Sequence, residues 1–188
     1  MKNNAVFRSR PFVLFSAALI VAMAVAGFAS VGVAYADEGE PPYGEARGHD
    51  FARLEEAFTR LNEWYSIQDA NIGRANAAIA RIEDVLARAE ELGIDTSAIQ
   101  ALIPELYAAV DRAEASHAEA GRILSGHAGF NGNGKVTNWE QALETCRSAC
   151  DSLSSAHDSL VQARNLVQEI IRLAQELRAS YVPAADVE

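Results

Sequence analysis

From Phe51 to Leu92 the chain repeats in sevens. Phe51, Phe58, Tyr65, Ile72, Ile79 and Leu86 make one row, and Leu54, Leu61, Gln68, Ala75, Ile82 and Ala89 make a second. The alternating three- and four-residue spacing puts both rows on one stripe of an α-helix, and the stripe stays on a neighbour only if the two helices coil about each other. A strand would need alternation every second residue, and nowhere in the chain does such a pattern persist. The repeat therefore commits the chain to long, laterally packed helices, the first over about residues 51–92, with Gly93 placed to close it as a left-handed cap.

The same spacing returns twice. Ile99, Leu106, Ala113 and Ala120 run beside Ile103, Val110, His117 and Leu124, predicting a second helix over about 96–126, with Asp95 or Thr96 to cap it. Pro104 lies inside that pattern, so a kink or a restart is expected near Ile103. A third helix is predicted over about 138–180, carried by Ala142, Ala149, Ala156, Ala163, Ile170 and Leu177 together with Cys146, Leu153, Leu160, Val167, Ala174 and Tyr181. Its alanines imply a close approach to a neighbour. Short connections between three such rods give an all-α, up-down-up, antiparallel three-helix bundle of coiled-coil type over residues 51–181. A long helical hairpin completed by dimerisation is the competing architecture.

Residues 1–36 differ in kind. Lys2, Arg8 and Arg10 precede an uncharged apolar stretch from Pro11 that ends in Ala34-Tyr35-Ala36, and no acidic residue occurs before Asp37. Basic start, apolar middle and small-x-small ending describe a secretory signal peptide. Retention of the same segment as an N-terminal membrane anchor is the alternative, and either outcome exports the remainder. Residues 37–50, DEGEPPYGEARGHD, are acidic and rich in Pro and Gly and read as a flexible tether, while residues 182–188 read as a disordered tail. Cleavage after Ala36 would leave 13 basic against 26 acidic residues, a net charge of −13, with Lys135 the single lysine. A surface so acidic repels phosphate backbones and anionic lipid, so nucleic acid is not an expected partner and a membrane is one only through a retained anchor.

Two places could hold a ligand. Residues 129–140, GFNGNGKVTNWE, resemble the calcium-binding loop of EF-hand proteins when Gly134 is set at the sixth position. Asn131, Asn133, Lys135, Thr137 and Glu140 then occupy the third, fifth, seventh, ninth and twelfth positions, and Val136 the aliphatic eighth. The resemblance implies a calcium site, but the first position is Gly129 where a carboxylate belongs, which leaves at most weak calcium binding. The competing reading is a turn in which Thr137 and Glu140 form a capping box for the third helix. The second place is a polar layer. Antiparallel hinges near residues 93 and 132 bring Gln68, His117 and Cys146 to one level of the core, with Cys150 a turn beyond. His117, Cys146 and Cys150 could ligate zinc or copper; the bland alternative is a hydrogen-bonded His–Gln pair beside a small thiol. Two cysteines one turn apart are poorly aimed for a mutual bridge, which leaves a strained disulfide, an inter-chain disulfide through Cys150, thiols, or metal.

Trp64 and Ile67 flank the first stripe and either widen the core or mark a contact strip. No nucleophile–base pairing, phosphate-binding loop or paired buried carboxylates stand out, so no enzymatic activity is expected. The sequence points to an exported helical protein that works by contact with another protein or with a second copy of itself. The alternative is an extracytoplasmic metal-binding or metal-sensing bundle.

Overall fold

A computed structural model describes the backbone from Ala46 to Ser180 and the side chains from Asp50 onward. The expected signal segment, most of the expected tether and the expected tail lie outside the described residues. Among the described residues four helices follow in order: α1 (Ala46–Glu91), the short α2 (Ser97–Gln100), α3 (Ile103–Gly126) and α4 (Trp139–Ser180). At 1.5 Å per residue α1 and α4 are each roughly 60–70 Å long. The chain is an all-α bundle of three packed rods, as the heptads require.

The direction of each rod follows from its cross-links. Lys135 and Leu153, which climb along the chain, meet Glu55 and Gln68, which climb with them, so the α4 end of the chain runs parallel to α1. Glu114 and Tyr107 descend α3 to meet Asn76 and Glu83, which rise along α1, so α3 is antiparallel to both. Nearly every residue of the six predicted rows that falls among the described residues is buried or half-buried; Phe51 is the exception, exposed at the bundle's end. The α3 and α4 rods make the closest pair. Ala109, Ala113 and Ala120 on one and Ala142, Ala149 and Ala156 on the other are fully buried, and side chains this small let two backbones come near.

The ends of the helices show where local chemistry was read well and where it was not. Gly93, at φ 71°, closes α1 in a Schellman motif: its amide bonds to Glu90 and that of Ile94 reaches back to Ala89. Pro104 sits in the first turn of α3, where its missing N–H costs nothing, and the helix restarts there after α2. Asp95 accepts the Ser97 amide at 3.0 Å, and that bond holds its carboxyl below the usual range. At the start, α1 opens at Ala46, so the last five residues assigned to the tether are helical. Adding a turn to an existing helix costs far less than nucleating one, and Ala46 and Arg47 favour it. The capping box at Thr137 and Glu140 does not form. Asn138 caps α4 instead, its side-chain oxygen accepting the Gln141 amide at 3.1 Å, while the Thr137 amide turns back to Gly129. Replacing Asn138 by Ala should cost about 1 kcal/mol by denaturant unfolding, and Thr137→Ala close to nothing.

Candidate functional site

The core divides into two apolar clusters, one reaching from Leu54 to Leu153 near the loop and one from Ile72 to Ile170 toward the far end. Between them lies the polar pair anticipated from the heptads. Gln68, 1% exposed, donates its side-chain amide to the Leu153 carbonyl of α4 at 2.9 Å and faces its carbonyl toward His117 of α3, whose Nδ1 lies 3.3 Å away. One glutamine thus ties all three rods together. The His117 ring stacks flat on Tyr65, with centroids 4.0 Å apart and planes 4° off parallel. Gly121 makes the space: a Cβ there would lie 2.6 Å from the Tyr65 hydroxyl. On the ring's other edge Nε2 is buried without a hydrogen-bond partner, 3.7 Å from the exposed Asp69 carboxylate. Burial pushes the His117 pKa down, and Asp69 offsets part of that.

Cys146 does not belong to this layer. Its thiol lies against the Leu54 carbonyl at 3.9 Å, in the cluster with Leu61, Ala120, Leu124 and Phe130. The Gln68–His117 pair is instead level with Leu153, seven residues and roughly 10 Å further along α4. The cause is the path of the loop. Ala128 and Gly129 keep running alongside the opening turns of α4, where the Ala128 carbonyl accepts the Thr145 hydroxyl at 2.8 Å, before the chain reverses. The effective hinge is therefore several residues beyond residue 132, and every level on α4 shifts with it. Among the described residues, no group of three or more His, Cys, Asp or Glu side chains is arranged to hold a metal ion.

The two cysteines sit in unlike surroundings. Burial, with the neighbouring Cys150 sulfur, pushes the Cys146 thiol up to about 11, and a thiol that stays protonated is a poor nucleophile. Cys150 is only half-buried, and neither cysteine is in a disulfide. A thiol-specific alkylating reagent at pH 8 should therefore modify Cys150 first and Cys146 only after unfolding; peptide mass mapping of the two sites checks it. Equal rates would mean that α4 opens around Cys146 on the labelling timescale.

The loop between α3 and α4 uses its ligand-like atoms on itself. The Asn131 side-chain oxygen accepts the amides of Asn133 and Lys135 at 2.9 and 3.0 Å, and the Lys135 carbonyl accepts the Asn131 amide at 2.8 Å. Thr137 and Glu140 lie exposed at the start of α4. Glu55 of α1 then clamps the loop from outside: one carboxylate oxygen takes the Lys135 ammonium at 2.6 Å and the other the Val136 amide at 3.1 Å. The lysine bond, ahead of the amide, holds the Glu55 carboxyl below its usual range. Phe130, buried in the loop, stacks on Phe58 with centroids 4.2 Å apart.

Sequence reasoning had missed the roles of four of these residues. Tyr65 and Gly121 face each other by the same antiparallel hinge that paired Gln68 with His117, so a glycine opposite an aromatic was the available signal. Glu55 lies beside the first heptad row, and the single lysine after residue 36 marked its partner. Asn138 was hidden because Thr137 and Glu140 offered a better-known cap one residue earlier.

Along the outer groove between α1 and α4, Trp64 meets His157 edge-on at 6.4 Å, and at the loop end Phe51 meets Trp139 edge-on at 5.6 Å. Ile67 (46% exposed) and Val161 (39% exposed) each lie about one turn beyond the Trp64–His157 contact on their own helix. No helix among the described residues is long and apolar enough to cross a membrane. No protein-family model, curated protein or solved structure matches the chain.

Proposed function

We propose that the protein is an exported, non-enzymatic helical scaffold that works by protein contact, self-association first, through the α1/α4 groove. The observation that carries this reading is the exposure of Ile67 and Val161 beside the half-buried Trp64, with Phe51 and Trp139 also exposed at the loop end. Large apolar side chains standing in a row at a groove lose little by staying in water singly, but together they gain by being covered. Export is supported by the basic, apolar and small-residue order of residues 1–36.

Two forces oppose each other in such an association. The acidic surface repels its own copy, and the strip attracts it. Salt screens the first and leaves the second. Sedimentation of the protein across roughly 0.05 to 0.5 M salt, over which the Debye length falls from about 14 Å to about 4 Å, should show a dimer that tightens as salt rises. The double substitution Ile67→Asp/Val161→Asp should weaken it at least tenfold. A monomer at every salt concentration, unchanged by the double substitution, would overturn self-association through this groove.

A further inference from the structure

We infer that His117 is a proton-operated latch: uncharged, it locks the register of the three rods through Gln68, and on protonation it is drawn toward Asp69 and lets that lock go.

The tautomer can be derived from the bonds around it. Gln68 spends its amide hydrogens on the Leu153 carbonyl, so its oxygen faces the ring. An amide oxygen only accepts, so the hydrogen in that contact belongs to His117 Nδ1. In an uncharged ring Nε2 then carries a lone pair and no hydrogen. That lone pair is buried without a donor and lies 3.7 Å from another acceptor, the Asp69 carboxylate. An unsatisfied buried acceptor in a 6% exposed side chain is a costly arrangement, and a proton there turns it into a donor aimed at the carboxylate.

A proton on Nε2 changes the balance of forces on the ring. The new N–H faces a carboxylate that is too far for a hydrogen bond, since N–H···O contacts close at roughly 2.7–3.2 Å. Closing the gap takes the ring about half an ångström or more toward Asp69. The contact to Gln68 is already long at 3.3 Å, and the stack on Tyr65 is held by Gly121, so motion that way stretches the first and slides the second. The groups facing His117 are Tyr65 and Asp69 from α1 and, through Gln68, the uncharged Leu153 main chain from α4. Asp69, at the solvent edge with its side chain 77% exposed, is the charge that acts on the ring.

The sign follows from burial. The folded state holds the His117 pKa below its usual 6.5, so the unfolded chain binds the proton more readily. Stability from this group is complete above about pH 6.5 and is lost as pH falls from there to the folded-state value.

The test is a histidine titration by NMR on the intact protein, paired with thermal melting from pH 7.5 to 5, roughly one to one and a half pH units either side of an ordinary histidine. The His117 ring should show the Nδ1–H tautomer at neutral pH and a midpoint below the usual 6.5. The Gln68 side-chain amide should exchange faster through the same midpoint. Melting of the wild type should fall by a few degrees across this range, and His117→Asn should flatten that fall. Asp69→Asn should move the midpoint lower still, a response that a merely buried histidine with no partner would not give. A midpoint at or above the usual 6.5, a Gln68 amide indifferent to it, or Asp69→Asn leaving it in place would overturn the latch, and each can be read on proteins that fold even if His117→Asn does not.

Discussion

Gly129→Ala is expected to destabilise the protein by at least about 3 kcal/mol, the sum of a left-handed backbone forced on an L-residue and a backbone displaced around it. Gly129 has φ 82°, and a Cβ built there would lie 2.1 Å from the Ala142 backbone nitrogen and 2.7 Å from the Asn138 carbonyl oxygen. Neither neighbour is a side-chain tip that can swing away; both are main-chain atoms of the opening turn of α4. Gly129 also accepts the Thr137 and Asn138 amides on its carbonyl, so relief by moving the loop breaks the bonds that start α4. The informative companion is Gly129→Asp, which supplies the carboxylate an EF-hand-like loop lacks at its first position. A calcium-binding design would predict gain of calcium affinity with that change. Steric geometry predicts loss of stability equal to or greater than Gly129→Ala, with no rescue by added calcium. Urea unfolding of both variants with and without calcium separates the two: a Gly129→Asp protein stabilised by the ion would sink the steric account.

Leu106→Ala should cost about 2–5 kcal/mol, the range for removing a fully buried leucine and leaving a cavity behind. Leu106 is 0% exposed and lies in the larger apolar cluster, two residues inside the restart at Pro104. That close to a proline the backbone has little freedom to collapse into the void, so the value belongs at the upper end. Leu92→Ala, at a side chain 52% exposed, is the matched control and should change stability by less than about 0.5 kcal/mol. Denaturation midpoints of the two variants at one denaturant slope decide it; similar losses in both would mean that the core is not where the heptads place it.

The rows of sevens specified the fold because burial in a coiled bundle depends on which face a side chain occupies, and spacing determines the face. Ile72, Val110 and Leu160 were therefore legible as core with no knowledge of their partners. The pairing of Gln68 with His117 was legible too, since Gly93 and the short α2 segment leave the α1–α3 register little freedom. What spacing cannot specify is how far one rod slides along another. A slip of one heptad keeps every apolar row on its face and changes only the level. The level of α4 is set by the Thr145–Ala128 bond and by the bare approach of Gly129 to Ala142, contacts between residues that carry no periodic signal. That slip took Cys146 out of the His117 layer. The cap failed for a related reason: Thr137 is drawn into the loop's pairing with Gly129, and the hydrogen bonds of a folded loop outrank a local preference in sequence.

The order in which the chain is made gives the packing of α1 a further meaning. α3 and α4 are neighbours in sequence and can close on each other as soon as the loop is formed, with their alanine faces already matched. α1 is synthesised first, yet the side chain that reaches the Leu54 carbonyl belongs to a residue 92 positions later. At about 5–20 residues per second, a ribosome needs roughly 5–20 s to supply it. Through that interval the stripe of the first helix can meet α3 but has no partner from α4. Any factor that receives the growing polypeptide meets α1 before it meets a bundle.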